Sequence, residues 1–179
     1  MKGMADVSLP FMMMEVRKAE SKDVDQIVEI MNQAKTYFKE NGIPQWQGEY
    51  PNEIDVMEDI RNSGAYVVSE EDEVLGYSYI ASINDPNYAW IEGKWLNSNP
   101  YYVVHRTCVR NTCKGQGIAS MLISFAKEKA LAEGLRNIRI DTHEMNHSMR
   151  RLIEKSGFAY CGIIHVEDGS PRYAYQLLI

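Results

Sequence analysis

The sequence predicts one α+β domain over residues 14–179, built on a mixed, mostly antiparallel sheet of six or seven strands flanked by helices. Three observations lead there. A chain of 179 residues suits a single core that needs no staples. Its 45% hydrophobic and 25% charged residues match ordinary globular composition. The strand-like runs are first joined by hairpin signals and later separated by helical periods, an order that mixes antiparallel with parallel pairing.

Taken in order, residues 14–18 read as a strand, and Ser21 offers a cap for a helix whose apolar positions, Val24, Ile27, Val28, Met31, Ala34, Tyr37 and Phe38, recur at helical spacing. The run from Asn41 through Gly42 to Pro44 ends it. Residues 45–51 form a loop carrying Trp46 and Tyr50. Ile54, Met57 and Ile60, with Val56, mark the apolar side of a short second helix ending near Gly64. Residues 65–69 and 74–83 make a hairpin around an acidic turn, and residues 84–100 an irregular insertion. A strand over 101–109, a helix over 117–132, a strand over 137–142 and a helix over 146–156 follow. Two closing strands, 159–166 and 172–178, are joined through Asp168 and Gly169.

Composition narrows function. A formal charge of −6 argues against nucleic acid as a partner. Cys108, Cys113 and Cys161 are odd in number and contain no CxxC pair, which speaks against a disulfide framework or a cysteine metal site and suits a reducing compartment. No run approaches the roughly 18 apolar residues of a membrane span, so a cytoplasmic protein without a membrane partner is expected. Residues 1–13 show no period and are expected to be a flexible extension without assigned function.

The chemistry concentrates after the strand that ends at Val109. Lys114, Gly115, Gln116, Gly117, Ile118, Ala119 and Ser120 lead directly into a helix, whose unpaired N–H groups and partial positive charge suit a phosphate that glycines allow to approach closely. Alone, two glycines can simply make a turn. In context the segment resembles the acetyl-CoA loop of the GNAT superfamily, the Gcn5-related N-acetyltransferases, whose pattern is Arg or Gln, two residues, Gly, one residue, then Gly or Ala. Lys114 departs from the first position but keeps its charge. Thr107, Cys108 and Val109 stand where the family's preceding strand ends. Asn146, Leu152, Glu154, Lys155, Gly157 and Phe158 follow a second family segment, and Val16 to Val24 looks like its opening strand and helix. The resemblance spans residues 14–178. It implies acetyl-CoA as cosubstrate, with backbone amides of residues 114–120 on the pyrophosphate and both the Thr107–Val109 edge and Asn146 on the pantetheine arm.

It also implies direct transfer to an amine in a ternary complex. The acidic charge and short aromatic loops lean toward a small-molecule amine, with a protein N-terminus or lysine as the alternative acceptor and a monomer or homodimer as the assembly. Trp46, Tyr50, Trp90, Glu92, Trp95 and His143 are candidate acceptor-side residues. For a general base, the glutamate of the histone-acetylating branch corresponds to Val103 and does not carry over. His105 on the same strand is the leading candidate, since an imidazole can accept a proton near neutrality, with Glu144, His143 and Asp141 as others. Many relatives place a tyrosine before the Glu-Lys-x-Gly-Phe end to protonate the thiolate. Ile153 stands there instead, which leaves Tyr160, Tyr173 or Tyr175 as donors, or none.

Two other classes compete. His143, Glu144 and His147 spell H-E-x-x-H, a zinc protease pattern that needs one helix under both histidines, whereas the residues before His143 alternate like a strand; no metal is expected. A CoA-binding sensor without catalysis is the other. A dinucleotide-binding unit is disfavoured because the third glycine position, near Leu122, is not small.

Overall fold

The computed structural model describes residues 13–179, so the expectation for the first thirteen falls almost wholly outside the described residues. Among these residues eight strands form one sheet. In chain order they are β1 (Glu15–Lys18), β2 (Ala65–Glu70), β3 (Glu73–Ser82), β4 (Glu92–Gly93), β5 (Tyr102–Val109), β6 (Asn137–Thr142), β7 (Ala159–His165) and β8 (Pro171–Leu178). Their spatial order is β1-β2-β3-β5-β6-β8-β7-β4. Every pairing is antiparallel except β5 with β6. The strand beyond the expected seven is β4, hidden in the irregular insertion. Gly93 and Gly162 pair there so closely that a Cβ on either would collide with the opposite backbone, which is why a two-residue strand forms at glycines.

Among the described residues four α-helices flank the sheet: α1 (Val24–Glu40), α2 (Glu53–Arg61), α3 (Ile118–Ala132) and α4 (His147–Lys155). Strand alternation sorts the core onto two faces. Tyr102, Val104, Ile138 and Ile140 meet Ile118, Leu122, Ile123 and Ala126 of α3, with Ile153 of α4 fully buried among them. On the other face Ile27, Ile30 and Met31 of α1 cover Val67, Val74 and Tyr77. Beyond Tyr77 that second face continues through Tyr79 and Val103, covered not by an α-helix but by Tyr88 and Tyr101 around the insertion.

Two local expectations change. Ser21 opens a one-turn 3-10 helix, Ser21–Asp23, and the capping group is Asp23, whose carboxylate accepts the Glu20 N–H at 2.8 Å. In α2 the buried residues are Val56 and Asp59, whereas Ile54 and Met57 are exposed. A buried carboxylate outcompetes two apolar residues for the inward position because Arg106 waits for it on β5.

Asp23 also receives a two-pronged bond from Arg17 at 2.7 and 2.9 Å and is almost fully buried. Burial pushes its carboxyl up, but the bonds from Arg17 and the Glu20 amide outweigh that and hold it below the ordinary range. Asp23→Asn is therefore expected to lower the unfolding free energy by about 2 kcal/mol at neutral pH. A depressed folded value means the stabilisation is present above the ordinary carboxylate value of about 4 and lost as pH falls through the folded one. Urea titrations of both proteins at neutral and strongly acidic pH check this, with the difference vanishing in acid.

Candidate functional site

The site begins where the parallel strands part. β5 and β6 pair only at Tyr102 with Ile138 and Val103 with Arg139, although β5 runs on to Val109 and β6 to Thr142. The cause lies on β5. Between His105 and Cys108 it places an extra residue opposite β3, and Arg106 takes φ 56°. Such a bulge bends its strand, here away from β6, leaving the Thr107–Val109 edge without a strand partner on that side. Ligands in α/β sheets settle at such points, outside the carboxyl ends of parallel strands.

The connection from β5 to α3 closes one mouth of this opening. Arg110 anchors it, its backbone N–H donating to Leu75 and its Nε to Val74, each at 2.8 Å. Gly115 and Gly117 then take φ 79° and 80°, and a Cβ on either would meet nothing within 4 Å, so both border open space. At Gly76 the reverse holds: a Cβ would lie 2.5 Å from Ile118, so glycine there lets the start of α3 rest on β3. A cavity of about 360 Å³ lies between these parts, lined by Thr107, Cys108, Val109, Lys114, Gly115, Gly117, Ile118, Ala119, Ser120 and Asn146. Among the residues expected for the cofactor, Gln116 alone is not in this lining. Tyr37 and Phe38 of α1 also line it, and Lys114 Nζ sits 4.3 Å from the centre of the Tyr37 ring. Those two aromatics read in the sequence as core positions of a helix, with no sign of the cavity. A second, shallower depression along α1 is lined by Asp25 and Glu29, charges that repel phosphate.

His105 lies two residues past Val103, the last residue of β5 paired with β6, on the face away from α3. Its Nε2 is 2.7 Å from Asp85 Oδ2, and its Nδ1 is 3.8 Å from Asp141 Oδ2. Tyr88 donates to that same Asp141 oxygen at 2.6 Å. Tyr79 lies parallel to the imidazole, with ring centres 6.4 Å apart. Asp85 is held firmly: its carboxylate accepts the Asn87 N–H at 2.9 Å, and its own N–H donates to the Tyr101 hydroxyl at 3.0 Å. Burial pushes the Asp85 carboxyl up, yet the hydrogen bond and charge of His105 win and hold it low.

The sequence model of the acetyltransferase (GNAT) family matches residues 25–158. The chain belongs to the GNAT acetyltransferase family. A GNAT-family acetyltransferase of Streptococcus agalactiae 2603 shares its fold with a TM-score of 0.81 and 34% identity, over 93% of this chain and 95% of that one. Streptothricin acetyltransferase of Escherichia coli is 33% identical over 100 residues, 55% of this chain and 56% of its own. GCN5-related N-acetyltransferase 6 of Arabidopsis thaliana is 33% identical over 61 residues, 34% of this chain and 21% of its own. The chain thus spans about half and about a fifth of the lengths of these two curated relatives.

The remaining candidates of this GNAT chain are dispersed. Asn146 caps α4, its Oδ1 accepting the Met149 N–H at 3.2 Å, while its Nδ2 donates to the buried Gln45 of the α1–α2 loop at 3.2 Å. Its amide is thus engaged at both ends, although it faces the cavity. His143 stands in the turn before Asn146, and His147 opens α4, so the two histidines do not share a helix and the geometry that H-E-x-x-H needs is not formed. Among the described residues no group of three or more His, Cys, Asp or Glu is placed to hold a metal. His143 Nδ1 accepts the Met145 N–H at 3.1 Å, and burial, helped by the charge of Arg172, pushes its pKa down.

Glu144 is exposed, its carboxylate accepting the Tyr173 hydroxyl at 3.2 Å. Trp46, half-buried at φ 57°, packs edge-on against Phe38 at 5.6 Å, beside the cavity wall. Trp95 lies against Tyr88 at 5.1 Å, next to the His105 cluster. Trp90 and Glu92 are not brought there. Both are exposed, and Glu92 sits on the outermost strand, four strand spacings or about 19 Å from β5. Sequence reasoning missed Asp85, Tyr88, Asp59 and Arg106. Only Asp85 before Pro86 carried a signal, that of a turn.

Proposed function

We propose that this GNAT chain transfers the acetyl group of acetyl-CoA to the amine of a small molecule, by direct attack within a ternary complex. One observation supports it above the others: the opening between β5 and β6 has the glycine loop and α3 N-terminus at one mouth and His105 on the other face of the same strand. Acetyl-CoA supplies the activated thioester. Backbone amides of residues 114–120 are the groups for its pyrophosphate, with Lys114 adding charge, and the free Thr107–Val109 edge suits its amide-bearing arm. Aligning both reactants in one cleft supplies much of the rate, and His105 relieves the ammonium of its proton.

The departing thiolate needs no acid from the protein, because a thiol with a pKa of about 8.5 leaves readily. Ile153 lies wholly in the core and offers none. The Tyr160 ring packs edge-on against Tyr173 and Tyr175 at 5.3 and 5.7 Å, a packing arrangement on the closing strands. A small acceptor accords with the net charge of −6 and with the relative named for streptothricin. The three buried thiols fit a reducing, cytoplasmic setting.

Release of CoA thiol is the assay, run over amino acids, polyamines, aminoglycosides and peptides. His105→Ala is expected to lower turnover with the best acceptor at least about tenfold at neutral pH while acetyl-CoA affinity stays unchanged. Turnover of peptides alone overturns the small-molecule acceptor. CoA binding with no turnover over the whole panel supports a sensor instead.

A further inference from the structure

We propose that Asp85 is a positioning residue that fixes the tautomer of His105, so that Nδ1 is the nitrogen that takes the acceptor's proton; this rests on the acetyl-transfer reading above. An ionised carboxylate has only acceptors to offer. At 2.7 Å from Asp85, His105 Nε2 must therefore carry the hydrogen and donate it, and in the neutral ring Nδ1 is left with the lone pair. The low-lying Asp85 carboxyl is the ionised partner this requires.

Asp85 can impose the choice because it cannot easily turn away. Its second oxygen accepts the Asn87 N–H, its backbone donates to Tyr101, and the one-turn helix Pro86–Tyr88 begins right after it. At the other end of that turn Tyr88 occupies Asp141 Oδ2, so the nearest carboxylate to Nδ1 stays 3.8 Å off, too far to hydrogen-bond the lone pair away. The remaining neighbours leave Nδ1 alone: Tyr79 of β3 lies flat beside the ring, and Arg106, the next residue, sends its guanidinium to Asp59. Asp85 and Asp141 give the imidazolium two counter-charges once it forms.

The step balances. Nδ1 takes one proton from the acceptor ammonium; the amine lone pair forms a C–N bond to the thioester carbonyl. The C–S bond breaks with its electron pair on sulfur, and the second proton lost from nitrogen ends on the thiolate, directly or through water. The ring then returns its proton to solvent, leaving amide, thiol and one proton.

The chain has four histidines, so nitrogen NMR of histidine-labelled protein resolves the ring of each, with His105 identified by its loss in His105→Gln. The expected spectrum at neutral to alkaline pH shows His105 with hydrogen on Nε2 and none on Nδ1. In Asp85→Asn that preference is expected to be lost. With the best amine of the panel, kcat/KM of this variant is expected to fall by at least about tenfold.

A wild-type ring carrying its hydrogen on Nδ1 overturns the proposal, even if Asp85→Asn proves unfoldable. So does an Asp85→Asn spectrum identical to wild type. A spectrum as expected, with His105→Gln and Asp85→Asn both turning over normally, removes His105 as the base and Asp85's positioning role with it, while acetyl transfer itself stands. Should no amine turn over at all, the acetyl-transfer reading fails and Asp85's role in catalysis falls too, although the spectrum still reports the tautomer.

Discussion

Gly117→Asp is expected to abolish acetyl-CoA binding, weakening it by a hundredfold or more, on the order of the Coulomb cost below, while leaving the fold intact. Gly117 stands immediately before α3 at φ 80°, and a Cβ there meets no protein atom, so the unliganded chain can accommodate a side chain. The left-handed backbone costs an ordinary residue roughly 1–2 kcal/mol, less for Asp and Asn. The charge matters more. A carboxylate about 4 Å from a phosphate oxygen, at an effective dielectric of about 20, opposes it by about 4 kcal/mol. Gly117→Asn separates the two effects, since it brings similar bulk and backbone preference without charge, and should lose no more than about tenfold. Calorimetric titration of both variants with acetyl-CoA measures the difference. Unchanged affinity in the aspartate variant would sink the assignment of this loop.

Arg106→Ala is expected to cost about 3–5 kcal/mol of stability. The guanidinium donates to both oxygens of Asp59, to Oδ2 at 2.9 Å, and to the Tyr50 hydroxyl at 3.0 Å, tying α2 and the loop before it onto β5. Without it the Asp59 carboxylate stays buried with only the Tyr77 hydroxyl for company. Burial already pushes the Asp59 carboxyl up, even with Arg106 beside it. In the variant that rise grows, so the folded state holds a proton more tightly than the unfolded one. Stability of the variant then increases as pH falls and declines as pH rises through the raised value, and the deficit against wild type is largest at neutral pH. Urea unfolding at two pH values tests both magnitude and sign, and a deficit independent of pH would mean that lost packing, not a stranded charge, is responsible. Replacing both partners, Arg106→Met with Asp59→Leu, should recover much of the loss.

What the sequence determined by itself is what the backbone decides within a few residues. The helical spacing from Val24 to Phe38 gave α1, and the two glycines before Ile118 gave an open loop at a helix N-terminus. Asn146 likewise announced the start of α4. Each of these rests on bonds or dihedrals spanning at most about four residues, so a linear reading can find them. What only the tertiary structure decided is the cleft's other side. His105 meets Asp85 across 20 positions, Arg106 meets Asp59 across 47, and Tyr88 meets Asp141 across 53. Those meetings depend on strand order and on the bulge at Arg106, neither of which leaves a periodic trace. The same cause inverted α2: its apolar pattern pointed Ile54 and Met57 inward, but a partly buried arginine on a distant strand needed a carboxylate, and satisfying that charge outweighed covering two side chains that water tolerates.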